Sequence, residues 1–329
     1  MSILTNVLIL LTTTIYHIIT TGIENQRYPP PGQRIDLGGY KLHLYSLGKG
    51  IPTVVIDPSL GGIDGYFLVE EIAKFARVCI YDRAGYGWSD PSPKSRSSEH
   101  IVQELDTLLN LAGIEPPYIL VGDSFGTYNV RLYAHRFPEK VVGMVLVDGL
   151  NEEAMLKMSL TLKVLKSFFM SGFAMSTLGA ALGIVRLLGT VGLFELIKKE
   201  LRKFPSKTLY RVKRSFYHHQ HWITMWREMW NLELSARQVS QSDNFDNLPI
   251  ISIKASTFFK RSILNFYMPV KGADKLRDKM HIELLKLSSN CMQVEATQSS
   301  HFVWIDEPEI IILAIQEIIH NLKRDRAIS

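Results

Sequence analysis

Apolar positions along the chain fall into runs of strand length separated by stretches of helical period. TVVIDP (53–58), RVCIYD (77–82), YILVGD (118–123), VVGMVLVD (141–148), PIISIKA (249–255) and CMQVEAT (291–297) are near-continuous apolar runs. Strands apolar on both faces and alternating with helices predict an α/β fold with a mostly parallel sheet covered on both sides. The intervening helices are expected over 63–75, 98–112, 125–137 and 274–288, with a closing amphipathic helix at 308–323. Ahead of this series, RIDLGGYKLHLYSLG reads as two strands joined through Gly38-Gly39, a hairpin signal.

The same pattern divides the chain. Residues 1–23 contain no Asp, Glu, Lys or Arg, and Ile3 to Ile23 is long enough to cross a bilayer as a helix. We read the segment as a single-pass N-terminal membrane anchor, with a signal segment cleaved on secretion as the alternative. Residues 24–33 form a Pro-rich linker whose Pro29-Pro30-Pro31 is expected to act as a stiff spacer. Residues 34–150 and 246–329 make the core, and 151–245 are expected to form an inserted helical cap or lid.

The cap has its own texture. From Ser167 to Phe194 the only charge is Arg186, which fits cap helices lining an acyl-sized cleft, with a second membrane span as the alternative. Eight basic residues then fall between Lys198 and Arg214 (198, 199, 202, 203, 207, 211, 213 and 214), a cluster suited to anionic headgroups. Trp222, Trp226 and Trp230 share one helical face, as a core stripe or an interfacial belt.

Composition narrows the function. A net charge of +5 from 37 basic and 32 acidic residues is too mild to indicate a nucleic-acid partner. Two cysteines provide neither a disulfide framework nor a zinc array, and His218, His219 and His221 lack a carboxylate or Cys at ligand spacing. No nucleotide-binding fingerprint is found, so no metal or cofactor is expected.

The chemistry lies in YILVGDSFG (118–126), where a buried strand ends in a Ser bracketed by Gly122 and Gly126 and a helix follows. A nucleophilic Ser projected from a sharp strand-to-helix turn crowds its neighbours two residues away, and glycine relieves that crowding. With YDRAGYGWSD before it and SSHFVWIDEPEII near the end, in that order, the chain resembles the α/β-hydrolase superfamily over about residues 34–323 apart from the cap. It is most similar to a serine-hydrolase branch that opens with a hydrophobic segment.

The resemblance implies an esterase- or lipase-like serine hydrolase acting on a carboxylic ester or thioester of lipid or acyl type. Ser124 matches the nucleophile and His301 the general base, while the other nine histidines have no such setting. Two residues match the acid: Asp148, ending the strand after the nucleophile helix, and Asp274, 27 residues before His301 but about 18 residues beyond its strand. Asp278, Asp243 and Asp246 stand behind them. Oxyanion donors are expected from the amides of Phe125 and Leu60.

The sequence also departs from the superfamily pattern. Pro58-Ser59 replaces the usual His-Gly of the oxyanion loop, and Asp123 precedes the nucleophile. Asp82-Arg83 reads as a structural ion pair. A peptidase of the same fold and a non-catalytic binding protein are the rival readings, whereas an epoxide hydrolase or dehalogenase calls for Asp where Ser124 stands.

Overall fold

The computed structural model describes residues 3–63, 65–258 and 270–328. Among them, eight strands make one sheet: β1 (Gln33–Asp36), β2 (Lys41–Leu47), β3 (Thr53–Asp57), β4 (Arg77–Asp82), β5 (Tyr118–Asp123), β6 (Val141–Val147), β7 (Ile250–Ala255) and β8 (Cys291–Ala296). Their order across the sheet is β1-β2-β4-β3-β5-β6-β7-β8. The first two strands form the expected hairpin, in which Asp36 accepts from the amides of Gly38 and Gly39. From β4 to β8 every pairing is parallel.

The strands read as unbroken apolar runs because both faces are covered. Val54, Ile56, Val78, Ile80, Ile119, Val121, Val145 and Val147 point into one core, and Val55, Cys79, Tyr81, Leu120, Met144 and Leu146 into the other. This is the period of two expected of a strand, with both alternating sets buried.

The helices are α1 (Ile3–Arg27), α2 (Tyr66–Ile72), α3 (Ser98–Leu111), α4 (Gly126–Arg136), α5 (Glu152–Leu156), α6 (Leu160–Ala181), α7 (Ile184–Thr190), α8 (Leu193–Ile197), α9 (Ser206–Tyr217), α10 (His219–Trp230), α11 (Leu232–Val239), α12 (Val270–Leu284), α13 (Val303–Asp306) and α14 (Pro308–Ile328). The second helix starts later than the periodicity predicts. Gly61 and Gly62, at φ +106° and +68°, hold the preceding residues in a turn. The helix expected over 274–288 ends at Leu284 and tightens into a 3₁₀ turn at Leu285–Leu287.

Between β6 and β7 run α5 to α11, of which α6 packs along α10. Phe173 of α6 meets the Trp222 ring at 6.3 Å, and Phe169, Trp222 and Trp226 join the core. One side of the cap's apolar run thus packs against α10, with only Phe173 and Ala180 of α6 fully buried. The tryptophan stripe is divided: Trp230 is 62% exposed and stacks on Trp226 at 5.2 Å.

Two segments are tied into the fold. Pro29-Pro30-Pro31 is not a free spacer: the Pro31 carbonyl accepts from His43 Nε2, and a Cβ on Gly32 would lie 2.3 Å from the Leu44 carbonyl oxygen. The linker is fastened to β2. Nor is the basic cluster wholly available to a partner. Lys198 pairs with Asp306 at 2.7 Å, Lys213 with Glu195 at 2.6 Å, and Arg214 is buried, donating to Asn25 at 2.5 Å.

Candidate active site

Ser124 sits between β5 and α4 with φ +48°, in the left-handed region that a residue with a Cβ rarely occupies. Such a conformation costs on the order of 1 kcal/mol or more and persists where the surroundings impose it. Its flanking glycines are explained by distance. A Cβ on Gly126 would lie 2.2 Å from the Asp57 carbonyl oxygen and 2.8 Å from that of Pro58. One on Gly122 would lie 2.6 Å from Val130 Cγ2 and 2.8 Å from the Gly126 carbonyl oxygen. The turn is fixed by the Ser124 amide on the Val147 carbonyl at 2.9 Å and by Thr127 Oγ1 on the Ser124 carbonyl at 2.6 Å.

His301 lies in the turn between β8 and α13, with Nε2 3.0 Å from Ser124 Oγ and Nδ1 2.6 Å from Asp148 Oδ2. An ionised carboxylate only accepts, so Nδ1 carries the proton and Nε2 is left to accept from the serine hydroxyl. The imidazole is held flat by Phe258, whose ring stacks on it at 4.8 Å and 20°. Its loop is braced by Asp306, which accepts from the amide and hydroxyl of Ser300 at 2.8 and 2.6 Å and pairs with Lys198 of the cap.

Asp148 follows β6 at φ +39° and is fully buried. Its Oδ1 accepts from the Ala255 amide and from His281 Nε2, both at 3.1 Å, with Arg277 Nε at 3.3 Å. Burial opposes its ionisation, but the hydrogen bonds from His281 and His301 and the Arg277 charge hold the carboxyl well below its usual range. Asp274 is turned elsewhere. It accepts from the Phe258 amide at 2.8 Å and lies 3.7 Å from Arg277 Nη1, capping the segment that follows β7. Of the more remote acids, Asp278 pairs with Lys254 at 2.8 Å, while Asp246 takes part in the turn that bonds Ser289.

His281 went unnoticed in the sequence. The signal was present: Arg277 and His281 are four residues apart, so α12 presents both on one face. Its Nδ1 accepts from Ser252 Oγ at 3.2 Å, which leaves Nε2 as the donor to Asp148.

Phe125 stands at the N-cap of α4, where the first amides of a helix lack intrahelical acceptors. Leu60 lies in the 58–62 loop, whose start abuts Gly126. That loop is held by Arg83, which donates to the carbonyls of Pro58 and Ser59 at 2.7 and 2.8 Å and to Asp57 Oδ1 at 2.7 Å. The Ser59 carbonyl also takes the Gly62 amide at 2.9 Å, so the residue that replaces a glycine closes the turn through its backbone.

Arg83, one residue past the end of β4, does not pair with Asp82. Instead Arg83 takes both oxygens of Glu228 on α10 at 2.8 and 2.9 Å, while Asp82 pairs with His43 at 2.9 Å and accepts the Trp88 amide. Near the loop, His221 is fully buried with Nδ1 on Ser215 Oγ at 2.8 Å. Burial, then the neighbouring His218 and Arg83, lower its pKa to about 3.

A family model described as the alpha/beta hydrolase fold matches residues 52–251. The chain belongs to that family. Within it, the α/β hydrolase is 23% identical over 275 residues to YqjL of Bacillus subtilis, covering 84% of this chain and 82% of that protein. It is 34% identical over 105 residues to YNL115C, a vacuolar membrane protein of Saccharomyces cerevisiae, covering 30% of this chain and 16% of that one. The enol-lactonase of Burkholderia xenovorans superposes with a TM-score of 0.59 at 15% identity, covering 88% of this chain and all (100%) of that chain.

Ser124 of the candidate site is buried, only 7% exposed. A groove of about 740 Å³ lies elsewhere, between α5, α6 and α12, and is lined by none of Ser124, His301 and Asp148.

Proposed function

We propose that this α/β hydrolase cleaves a carboxylic ester or thioester with an acyl chain through an acyl-enzyme. The observation that carries the reading is the relay from Ser124 Oγ through His301 to Asp148, at 3.0 and 2.6 Å. Ser124 attacks the carbonyl carbon as His301 Nε2 takes the hydroxyl proton. Asp148 keeps the imidazole in the Nδ1–H tautomer and stabilises its positive charge. The carbonyl oxygen, now negative, accepts from the amides of Phe125 and Leu60 while the helix terminus adds positive potential. His301 returns the proton to the leaving alcohol or thiol, and water, activated by the same imidazole, releases the acid.

The test is covalent labelling with a fluorophosphonate. Tagging of the folded protein that disappears in Ser124→Ala supports the enzyme, while absence of tagging in folded protein favours a binding role. A panel of acyl esters then sets the chain-length preference.

We also place the protein at a membrane surface. Both α1 and α6 are long and apolar enough to cross a bilayer, though only 6% of each apolar stretch is buried in the fold. YNL115C, a relative over part of its length, is a vacuolar membrane protein. Flotation of the full chain with vesicles checks this placement.

A further inference from the structure

The N-terminal helix is inside out. His17, Thr21 and Glu24 face the protein: Arg186 of α7, itself buried, donates to His17 Nδ1 at 3.0 Å, to Thr21 Oγ1 at 2.9 Å and to Glu24 Oε1 at 2.7 Å. Thr14 Oγ1 donates to the Leu182 carbonyl at 3.3 Å. The approach is close, since a Cβ on Gly183 would lie 2.4 Å from the Thr13 carbonyl oxygen. Further along, Arg214 donates to Asn25 and the rings of Tyr28 and Tyr210 meet at 4.9 Å. The opposite face of α1 is bare and apolar apart from Thr12, whose hydroxyl donates to the Leu8 carbonyl, with Leu8, Leu11, Ile15, Ile18, Ile19 and Ile23 exposed.

Water selects the reverse arrangement, apolar face inward and charges outward. Hydrocarbon selects this one, because polar groups there must be satisfied inside the protein while apolar side chains meet lipid. The cap repeats the pattern: α6 packs on α10 yet leaves Val164, Phe168, Met175 and Leu178 exposed. Exposed Leu196 and Ile197 are followed at once by exposed Lys199, Arg202 and Lys207, the charge that complements anionic headgroups.

A crossing helix is disfavoured by what holds α1. His17, Thr21 and Glu24 are bonded to α7, seven residues long, and Asn25 to α9, which carries Lys207, Arg211, Lys213 and Arg214. Those elements cannot lie in mid-bilayer, so the half of α1 they grip stays at the level of the protein.

Resting on the membrane placement above, we propose that α1 is a fixed part of the cap, pinned by Arg186. Its bare face and that of α6 seat the cap in one leaflet of an anionic bilayer without crossing it. The apolar faces enter the interfacial region and the basic residues meet headgroups.

Three measurements on the full chain decide it. With epitope tags at both ends, protease added to sealed vesicles should remove both tags or spare both; tags on opposite sides overturn the proposal while leaving membrane placement intact. Flotation with phosphatidylcholine vesicles containing phosphatidylserine should recover the wild type, and its failure removes the membrane placement as well. Ile15→Gln with Ile19→Gln, both exposed and away from the reaction centre, should weaken vesicle binding by about tenfold or more. Fluorophosphonate labelling in detergent should be unchanged. Undiminished binding by this folded variant also overturns the proposal.

Discussion

His281 Nε2 lies 3.1 Å from Asp148 Oδ1, so the carboxylate that orients His301 through one oxygen is gripped by a second imidazole on the other. Both of these side chains are buried, and Ser252 fixes the tautomer of the second. In the proposed mechanism His281 is thus a positioning residue. A hydrogen bond to a charged group is worth about 1.5–3 kcal/mol, so His281→Phe should lower kcat by roughly 10- to 150-fold with little change in KM. His281→Gln, which keeps an N–H donor, should recover part of the loss. Equal damage by both substitutions at unchanged melting temperature would speak against orientation by that hydrogen bond.

Asp148 and Asp274 separate cleanly under the same substitution. Asp148→Asn presents an amide to His301 Nδ1 and disturbs the tautomer, which should cost on the order of 10³- to 10⁴-fold in kcat. Asp274→Asn keeps an acceptor for the Phe258 amide and should stay within about threefold of wild type, since it reaches the relay only through Phe258 and Arg277. Steady-state hydrolysis of a short acyl ester compares them. A larger effect at 274 would reverse the assignment.

The strand series and the turn at Ser124 were legible because each follows from a local rule: two-sided burial makes unbroken apolar strands, and a crowded elbow needs glycine at 122 and 126. The linker and Arg83 were not, because their partners are remote. Nothing local tells that Pro31 meets His43, or that Arg83 passes over its neighbour to reach Glu228, 145 residues on. His281 shows an intermediate case, visible as an i, i+4 pair with Arg277 but without meaning until Asp148 is placed beside it. The polar face of α1 was likewise present as Thr13, Thr14, His17, Thr21 and Glu24, yet overall hydrophobicity hid its periodicity.

Gly126 should be the least tolerant position of the elbow. An added methyl meets two backbone carbonyls, at 2.2 and 2.8 Å, and backbone cannot rotate away as a side chain can. Gly126→Ala should therefore destabilise by about 2 kcal/mol or more and slow fluorophosphonate labelling of the surviving folded protein. Gly122→Ala meets Val130 Cγ2 as well as backbone, and pairing it with Val130→Ala should restore part of its stability. Urea unfolding of the three variants is the check, and an unchanged midpoint for Gly126→Ala would contradict the close approach.

Glu228 links the cap to the 58–62 loop through Arg83, and Tyr86 donates to the same carboxylate at 2.7 Å. Removing one partner of a buried pair leaves an uncompensated charge, so Arg83→Met should cost about 3–5 kcal/mol. Arg83→Met with Glu228→Gln should be more stable than Arg83→Met alone, yet should remain slow in labelling because the Pro58 and Ser59 carbonyls have lost their donor. A double-mutant cycle in unfolding free energy measures the coupling, and additive losses would mean that the pair contributes nothing jointly.

Acid should loosen the cap before it neutralises Asp148. Burial, ahead of the nearby Arg214 and Arg186 charges, lowers the His218 pKa to about 4, and His221 is lowered further, to about 3. In the unfolded chain both return to about 6.5. Between those values the unfolded state binds protons that the folded state refuses, so unfolding gains from acid. The stabilisation is complete above about pH 6.5 and declines as the pH falls through the window towards 4 and then 3. Asp148 acts in the same direction but only below about pH 4, the unfolded value of an Asp. Melting temperature followed from pH 7.5 to 4.5 should fall less steeply in His218→Gln with His221→Gln than in the wild type. Parallel curves would show that these imidazoles take up protons in the folded cap, against their burial beside Arg186, Arg214 and Arg83.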